Sequence, residues 1–162
     1  MQYPERVSKV VIIGSPVVGS SLAFPLKLAG HRFIAKLIFN MMWAFRGMMR
    51  VASPYICSDP RFPDMMDRDL TRTTVESFLL SIASLRRTDL RPGLPQLKIP
   101  VMGMFGDRDN IVIPGQWQPL QAGVPQAKIV RWQRAQHFVM LDTPQDFMEK
   151  LKTFLDEEET PT

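Results

Sequence analysis

The 162-residue sequence has one cysteine, Cys57, and two histidines, His31 and His137. A lone cysteine excludes an internal disulfide framework and an all-cysteine zinc site, and two histidines leave no metal-ligand cluster. No metal or other cofactor is expected. Cys57 reads as a small buried or half-buried apolar residue. Uninterrupted apolar runs are also scarce. The stretch 10–26 follows Arg6 and Lys9 and superficially resembles a secretory leader, but Glu5 sits in its basic part and Gly14, Pro16 and Gly19 interrupt it. The stretch 33–52 contains Lys36, Asn40, Arg46 and Arg50, which makes it a poor membrane span. A soluble, cytoplasmic protein is the expectation. The net charge is +4, yet the basic residues are scattered rather than gathered into one run, so no nucleic-acid partner is expected.

With hydrophobic residues at 45%, the chain is ordinary for one globular domain and can bury a core if its elements are complete. Three segments read as strands. Val7 to Gly14 is apolar and β-branched on successive residues from Val10, which suits a strand covered on both faces of a parallel sheet. Lys98 to Phe105 and Ala127 to Gln133 read similarly. Between these two, 114–122 is expected to be a short helix. After the third, Thr143 as N-cap, Pro144 in the first turn and Asp146 open a helix to about Asp156. Strands alternating with helices predict an α/β fold.

From Ser20 to Leu90 the pattern is helical and rich in Met and Phe. Polar residues are few in 33–52, so that helix should be covered on several sides. Thr73 with Glu76 is a capping-box candidate for a further helix, whose Val75, Phe78, Leu79, Ile82 and Leu85 recur at helical spacing. This insertion should lie as a cap over the sheet. Its Phe33, Ile38, Met41, Met42, Phe45, Met48 and Met49 suggest a greasy ligand group, but most of them are expected to be cap core.

Open α/β sheets place their chemistry at the C-terminal ends of their strands. Past the second strand, the turn Gly106 to Pro114 presents Asp107 and Asp109. Past the third, His137 sits in the loop before the final helix. Loops on neighbouring strands can bring a carboxylate to a histidine, fixing its tautomer and stabilising the imidazolium formed when it takes a proton from a nucleophile. Each residue also has a plain structural reading, aspartate as a turn former and histidine as a satisfied loop residue. Asp109 is preferred as the acid, with Asp107 left as a turn or surface residue. His31 has no acidic partner nearby in sequence and is read as structural.

Three segments carry a resemblance. Tyr3 to Pro16, YPERVSKVVIIGSP, is similar to the sixth strand of the α/β-hydrolase family. DLRPGLPQLKIPVMGMFGDRDNIVIP resembles the return from that family's cap into its seventh strand and acid loop. AQHFVMLDTPQDFMEKLKTFL resembles the histidine loop and closing helix. The resemblance implies that Asp109 is the acid and His137 the general base of a nucleophile-histidine-acid triad. It implies a partial α/β-hydrolase fold of three C-terminal parallel strands with a helical cap insertion. The expected division is a core strand in 1–19, the cap in 20–95, a C-terminal core with two strands and two helices in 96–158, and a tail in 159–162. One departure is Gln136, where the family often has glycine.

A nucleophile elbow needs a strand feeding a sharp Gly-x-Ser-x-Gly turn, and no such pentapeptide occurs. The nearest is GSSLA, which would make Ser21 the nucleophile, but only Val17 and Val18 separate it from Pro16 and Pro25 falls in the required helix. Ser21 is therefore a weak candidate, and Cys57 falls in the cap. The expected function is hydrolysis of a small, mainly apolar substrate by a fold truncated of its nucleophile, so the chain alone is expected to be inactive. Ester, epoxide, carbon–halogen and carbon–carbon cleavage are not separated, and Tyr55 alone is thin support for epoxide chemistry. The alternative is a noncatalytic half-fold serving as a binding or self-association module. An open edge beside Val7 to Gly14 should attract a partner strand or a second copy.

Overall fold

The computed structural model describes residues 6–157. Glu5 and the rest of the first five residues, and the tail 159–162, lie outside the described residues. The element order is β1 (Val10–Ile13), α1 (Phe24–Ala29), α2 (Arg32–Asn40), α3 (Met42–Ala52), α4 (Phe62–Arg72), α5 (Val75–Arg87), β2 (Val101–Gly106), α6 (Trp117–Gly123), β3 (Lys128–Trp132), α7 (Val139–Asp142) and α8 (Pro144–Asp156).

The strands form one parallel sheet in the order β1-β2-β3, with Val10 opposite Val101 and Met102 opposite Lys128. Parallel neighbours require crossovers, and helices supply both. The middle strand reads Val-Met-Gly-Met-Phe-Gly and is buried at every position. One face packs Val101 and Phe105 with Val17, Leu94, Leu120 and Val124. The other packs Met102 and Met104 with Ala135, Val139, Phe147 and Phe154. β1 is only half-buried along its length. It is also shorter than the predicted Val7 to Gly14, and β2 and β3 likewise begin later than read, at Val101 and Lys128.

The helical region between β1 and β2 departs from expectation in three ways. The predicted continuous helix through 33–52 breaks at Met41, whose φ of −110° and ψ of 34° are not helical and whose amide is shared by the carbonyls of Leu37 and Ile38. The residues expected as cap core are not buried: Phe33 is 77% exposed, and Met41 and Met48 also face outward. Ile38, Met42, Phe45 and Met49 are half-buried. The helix start at 73–76 is shifted by one, because Thr73 ends α4 with its hydroxyl on the Asp69 carbonyl. The cap of α5 is Thr74, which accepts from the Ser77 amide in a reciprocal box with the Ser77 hydroxyl. The inward face of α5 is as read, with Ile82 buried and Phe78 against Phe39 at 6.0 Å.

Thr143 occupies the N-cap position of α8 but makes no capping bond there. Its hydroxyl donates instead to the Val139 carbonyl, because the one-turn helix α7, absent from the sequence reading, precedes it. The helix expected over 114–122 runs from Trp117 to Gly123.

Candidate active site

Asp109 stands in the turn that follows β2, and its position is fixed by its own loop. One carboxylate oxygen, Oδ1, accepts from the backbone amides of Ile111 at 2.8 Å and Val112 at 2.9 Å. This is an aspartate turn of the kind short polar side chains favour. The other oxygen, Oδ2, lies 2.8 Å from His137 Nδ1. Asp109 is 7% exposed, one of two buried polar or charged residues among those described. A carboxylate so placed is held by its three contacts rather than by water.

His137 comes from the loop after β3. The loop crosses to Asp109 because Gly106 permits it: a Cβ at residue 106 would stand 2.1 Å from the Gln136 carbonyl oxygen. The Arg108 amide donates to the Ala135 carbonyl at 3.0 Å, stitching the two loops together. On the other side the imidazole lies against Gly14, at the end of β1, where a Cβ would be 3.5 Å from both Nδ1 and Cε1. Gly14 has φ of +52°, a backbone state other residues resist. Phe138 meets the ring edge-on with centroids 4.9 Å apart and packs in turn on Phe62. With Nδ1 facing Asp109, Nε2 points away from the carboxylate. Among the described residues it has no hydrogen-bond partner.

Asp107, the other acid of this turn, points elsewhere. It forms a two-pronged ion pair with Arg131 at 3.0 and 2.9 Å, and Arg131 lies over the Trp117 ring. His31 is exposed at the start of α2 and makes no ion pair among the described residues.

No family model matches the sequence. It is 28% identical to a 2-hydroxy-6-oxononadienedioate/2-hydroxy-6-oxononatrienedioate hydrolase from Pseudomonas, over 96% of this chain and 56% of that protein. Among solved structures, an α/β hydrolase enzyme, MGS-M2, from a Medee basin deep-sea metagenome library superposes with a TM-score of 0.73 at 20% identity. The match covers 99% of this chain and 60% of that one. The enol-lactonase from Burkholderia xenovorans LB400 gives 0.73 at 17% identity, over 96% of this chain and 59% of its own. An esterase from Exiguobacterium antarcticum gives 0.72 at 17%, over 93% and 58%. The chain has part of the α/β-hydrolase fold. It spans a little over half the length of these relatives.

Within this part of the α/β-hydrolase fold, no hydroxyl or thiol among the described residues is hydrogen-bonded to His137. Ser21 lies in a 3-10 turn, Gly19–Ser21, with no strand leading into it, and its hydroxyl donates to the Val18 carbonyl at 2.5 Å. Ser15, next to Gly14, donates to the Ile13 carbonyl. Cys57 is buried with Ile56 and Phe62, and burial is the main cause that pushes its thiol up to about 11. Such a thiol is a poor nucleophile at neutral pH. The described residues hold no group of three or more His, Cys, Asp or Glu that could bind a metal ion. No helix among them is long and apolar enough to cross a membrane.

Two features of the site went unread in the sequence. One is a groove of about 330 Å³ bordered by Phe62, Met66, Leu70, Phe138 and Leu141, with Asp69 as its charged residue. The other is Asp142, whose carboxylate gathers the loop that carries the histidine. Its only sequence signal was an aspartate in the first turn of a helix too short to recognise.

Proposed function

We propose that this chain supplies the base and acid of a hydrolase that cleaves a small, mainly apolar substrate through a nucleophile-histidine-acid triad. The observation that carries the reading is the 2.8 Å contact between His137 Nδ1 and the buried Asp109 carboxylate. With Nδ1–H donating to Asp109, Nε2 is the free base. It takes the proton from an attacking hydroxyl, and the resulting imidazolium is stabilised by the adjacent carboxylate. The proton then passes from Nε2 to the leaving group. The nucleophile and the donors that stabilise the oxyanion come, in this reading, from residues beyond those described. The groove beside Phe138 suits an apolar substituent.

The test is turnover. On short-chain esters and on the dienedioate for which the Pseudomonas relative is named, the chain alone should show no hydrolysis above background. Robust turnover lost in His137→Ala would overturn the claim that its nucleophile lies elsewhere. Genomic sequence ahead of Met1 gives an independent check, since an in-frame strand followed by Gly-x-Ser-x-Gly or Gly-x-Asp-x-Gly supports the enzyme.

A second reading, a noncatalytic binding or self-association module, is favoured by one observation: β1 has no neighbour on its outer side among the described residues. A stop codon and ribosome-binding signal directly ahead of Met1 would favour it.

A further inference from the structure

Asp142 ends the one-turn helix that follows the histidine loop, and both of its oxygens are occupied. Oδ2 accepts from the backbone amide of Gln136, the residue before His137, at 2.6 Å. Oδ1 accepts from both the amide and the hydroxyl of Ser58, each at 2.7 Å. The Cys57 thiol faces the same carboxylate. Gln136 adds a second tie, its Nε2 donating to the Pro54 carbonyl at 2.8 Å. The acid loop joins the same segment, Asn110 donating to the Tyr55 carbonyl. Residues 54–58 are thus bound at four points to the two loops that bring Asp109 and His137 together.

From this convergence we infer that Asp142 is a positioning residue: one carboxylate fixes the backbone directly ahead of His137 and anchors it to residues 57–58, so that the imidazole is held against Asp109. A carboxylate is needed because three N–H and O–H donors converge on it, and only a group that accepts on both oxygens serves them all. An amide at this position would turn a donor toward one of them. The segment 54–58 leads from α3 to α4, so any shift of those helices reaches the histidine loop through Asp142.

The inference rests on the acid-and-base reading of Asp109 and His137, but its test reads a proton rather than turnover. The proton on Nδ1 of an imidazole bonded to a carboxylate gives a resolved downfield resonance, and with only two histidines, the exposed His31 is the internal comparison. In the wild-type chain the His137 resonance should be present, and in Asp109→Asn it should vanish. Its absence from wild type would overturn the acid-and-base reading and this inference with it. In Asp142→Asn the proton should exchange with water faster by about tenfold or more, the size expected for losing a hydrogen bond to a charged group. Asp107→Asn should leave it unchanged. A folded Asp142→Asn chain whose proton exchanges at the wild-type rate overturns the inference while leaving the acid and base intact. Should Asp142→Asn not fold, Ser58→Ala decides: the Gln136 amide should exchange measurably faster than in wild type, and an unchanged rate overturns the proposal.

Discussion

Asp109 accepts three hydrogen bonds from a position almost sealed from water, and the two oxygens do different work. Oδ1 holds the loop; Oδ2 holds the histidine. Asp109→Asn separates them. The asparagine oxygen can still accept from Ile111 and Val112, so the fold should survive, while its NH₂ faces Nδ1 and forces the proton onto Nε2. In the proposed enzyme, supplied with its nucleophile, hydrolysis should fall by on the order of 10⁴, as in a triad whose histidine is held in the wrong tautomer. A long-range nitrogen correlation spectrum should show the tautomer change directly. Cys57 gives a pH test. Its thiol rises from an ordinary 9.0 to about 11, chiefly through burial, so the folded state favours the neutral form. The unfolded thiol ionises first, and this contribution to stability is complete below pH 9 and is lost as pH climbs from 9 toward 11. Denaturant unfolding across that window should show wild type losing stability faster than Cys57→Ala. At this scale the sequence was informative where a single residue follows a strand end, as with Asp109 and His137. It was silent on Asp142, whose partner Ser58 lies far away in the chain and whose meaning exists only once the loops have met.

The elements obey local chemistry most closely where a polar side chain meets a helix start. Thr74 caps α5 through the Ser77 amide, and Thr74→Ala should cost about 1 kcal/mol in denaturant unfolding. Thr73→Ala, one residue earlier, should cost less, since its hydroxyl only closes the last turn of α4. Two adjacent threonines made the register ambiguous in sequence. What decided it is that α4 continues far enough to take Thr73 for itself. The break at Met41 was hidden for a different reason: neither proline nor glycine marks it, and the apolar pattern of 33–52 runs through it unbroken. Apolar periodicity also misled on burial. Phe33 and Leu37 lie one turn apart on the outward side of α2, while Ala35 is its fully covered residue.

For the molecule as a whole, a parallel sheet was legible because apolar strand segments alternate with helices, while the order β1-β2-β3 came only with the structure. Among the described residues, the outer side of β1 has no neighbouring strand. Val10 and Gly14 donate their amides inward, to Pro100 and Met104, so the alternating amides of Val11 and Ile13 point outward in a parallel ladder. Such an edge invites another strand. Light scattering coupled to gel filtration should therefore show mass rising with concentration. Val11→Pro removes one outward donor without touching the bonds to β2, and it should reduce that association while preserving the helical circular dichroism. A wild-type chain that stays monomeric at all concentrations would show that this edge is satisfied in some other way.

The sheet pairs Val10 with Val101, and the Lys9 ammonium binds the carbonyls of Phe154, Leu155 and Glu157 at the end of α8, across as many as 148 residues of sequence. On the ribosome, then, β1 is made long before β2 and α8, the elements it pairs with. It must wait through the synthesis of five helices before β2 exists and through nearly the whole chain before Lys9 can close on α8. Loop-closure entropy makes such long-range pairing slow, and for that interval the edge of β1 that will meet β2 is exposed. Transient chaperone cover of the nascent β1 segment is the expected consequence in the cell.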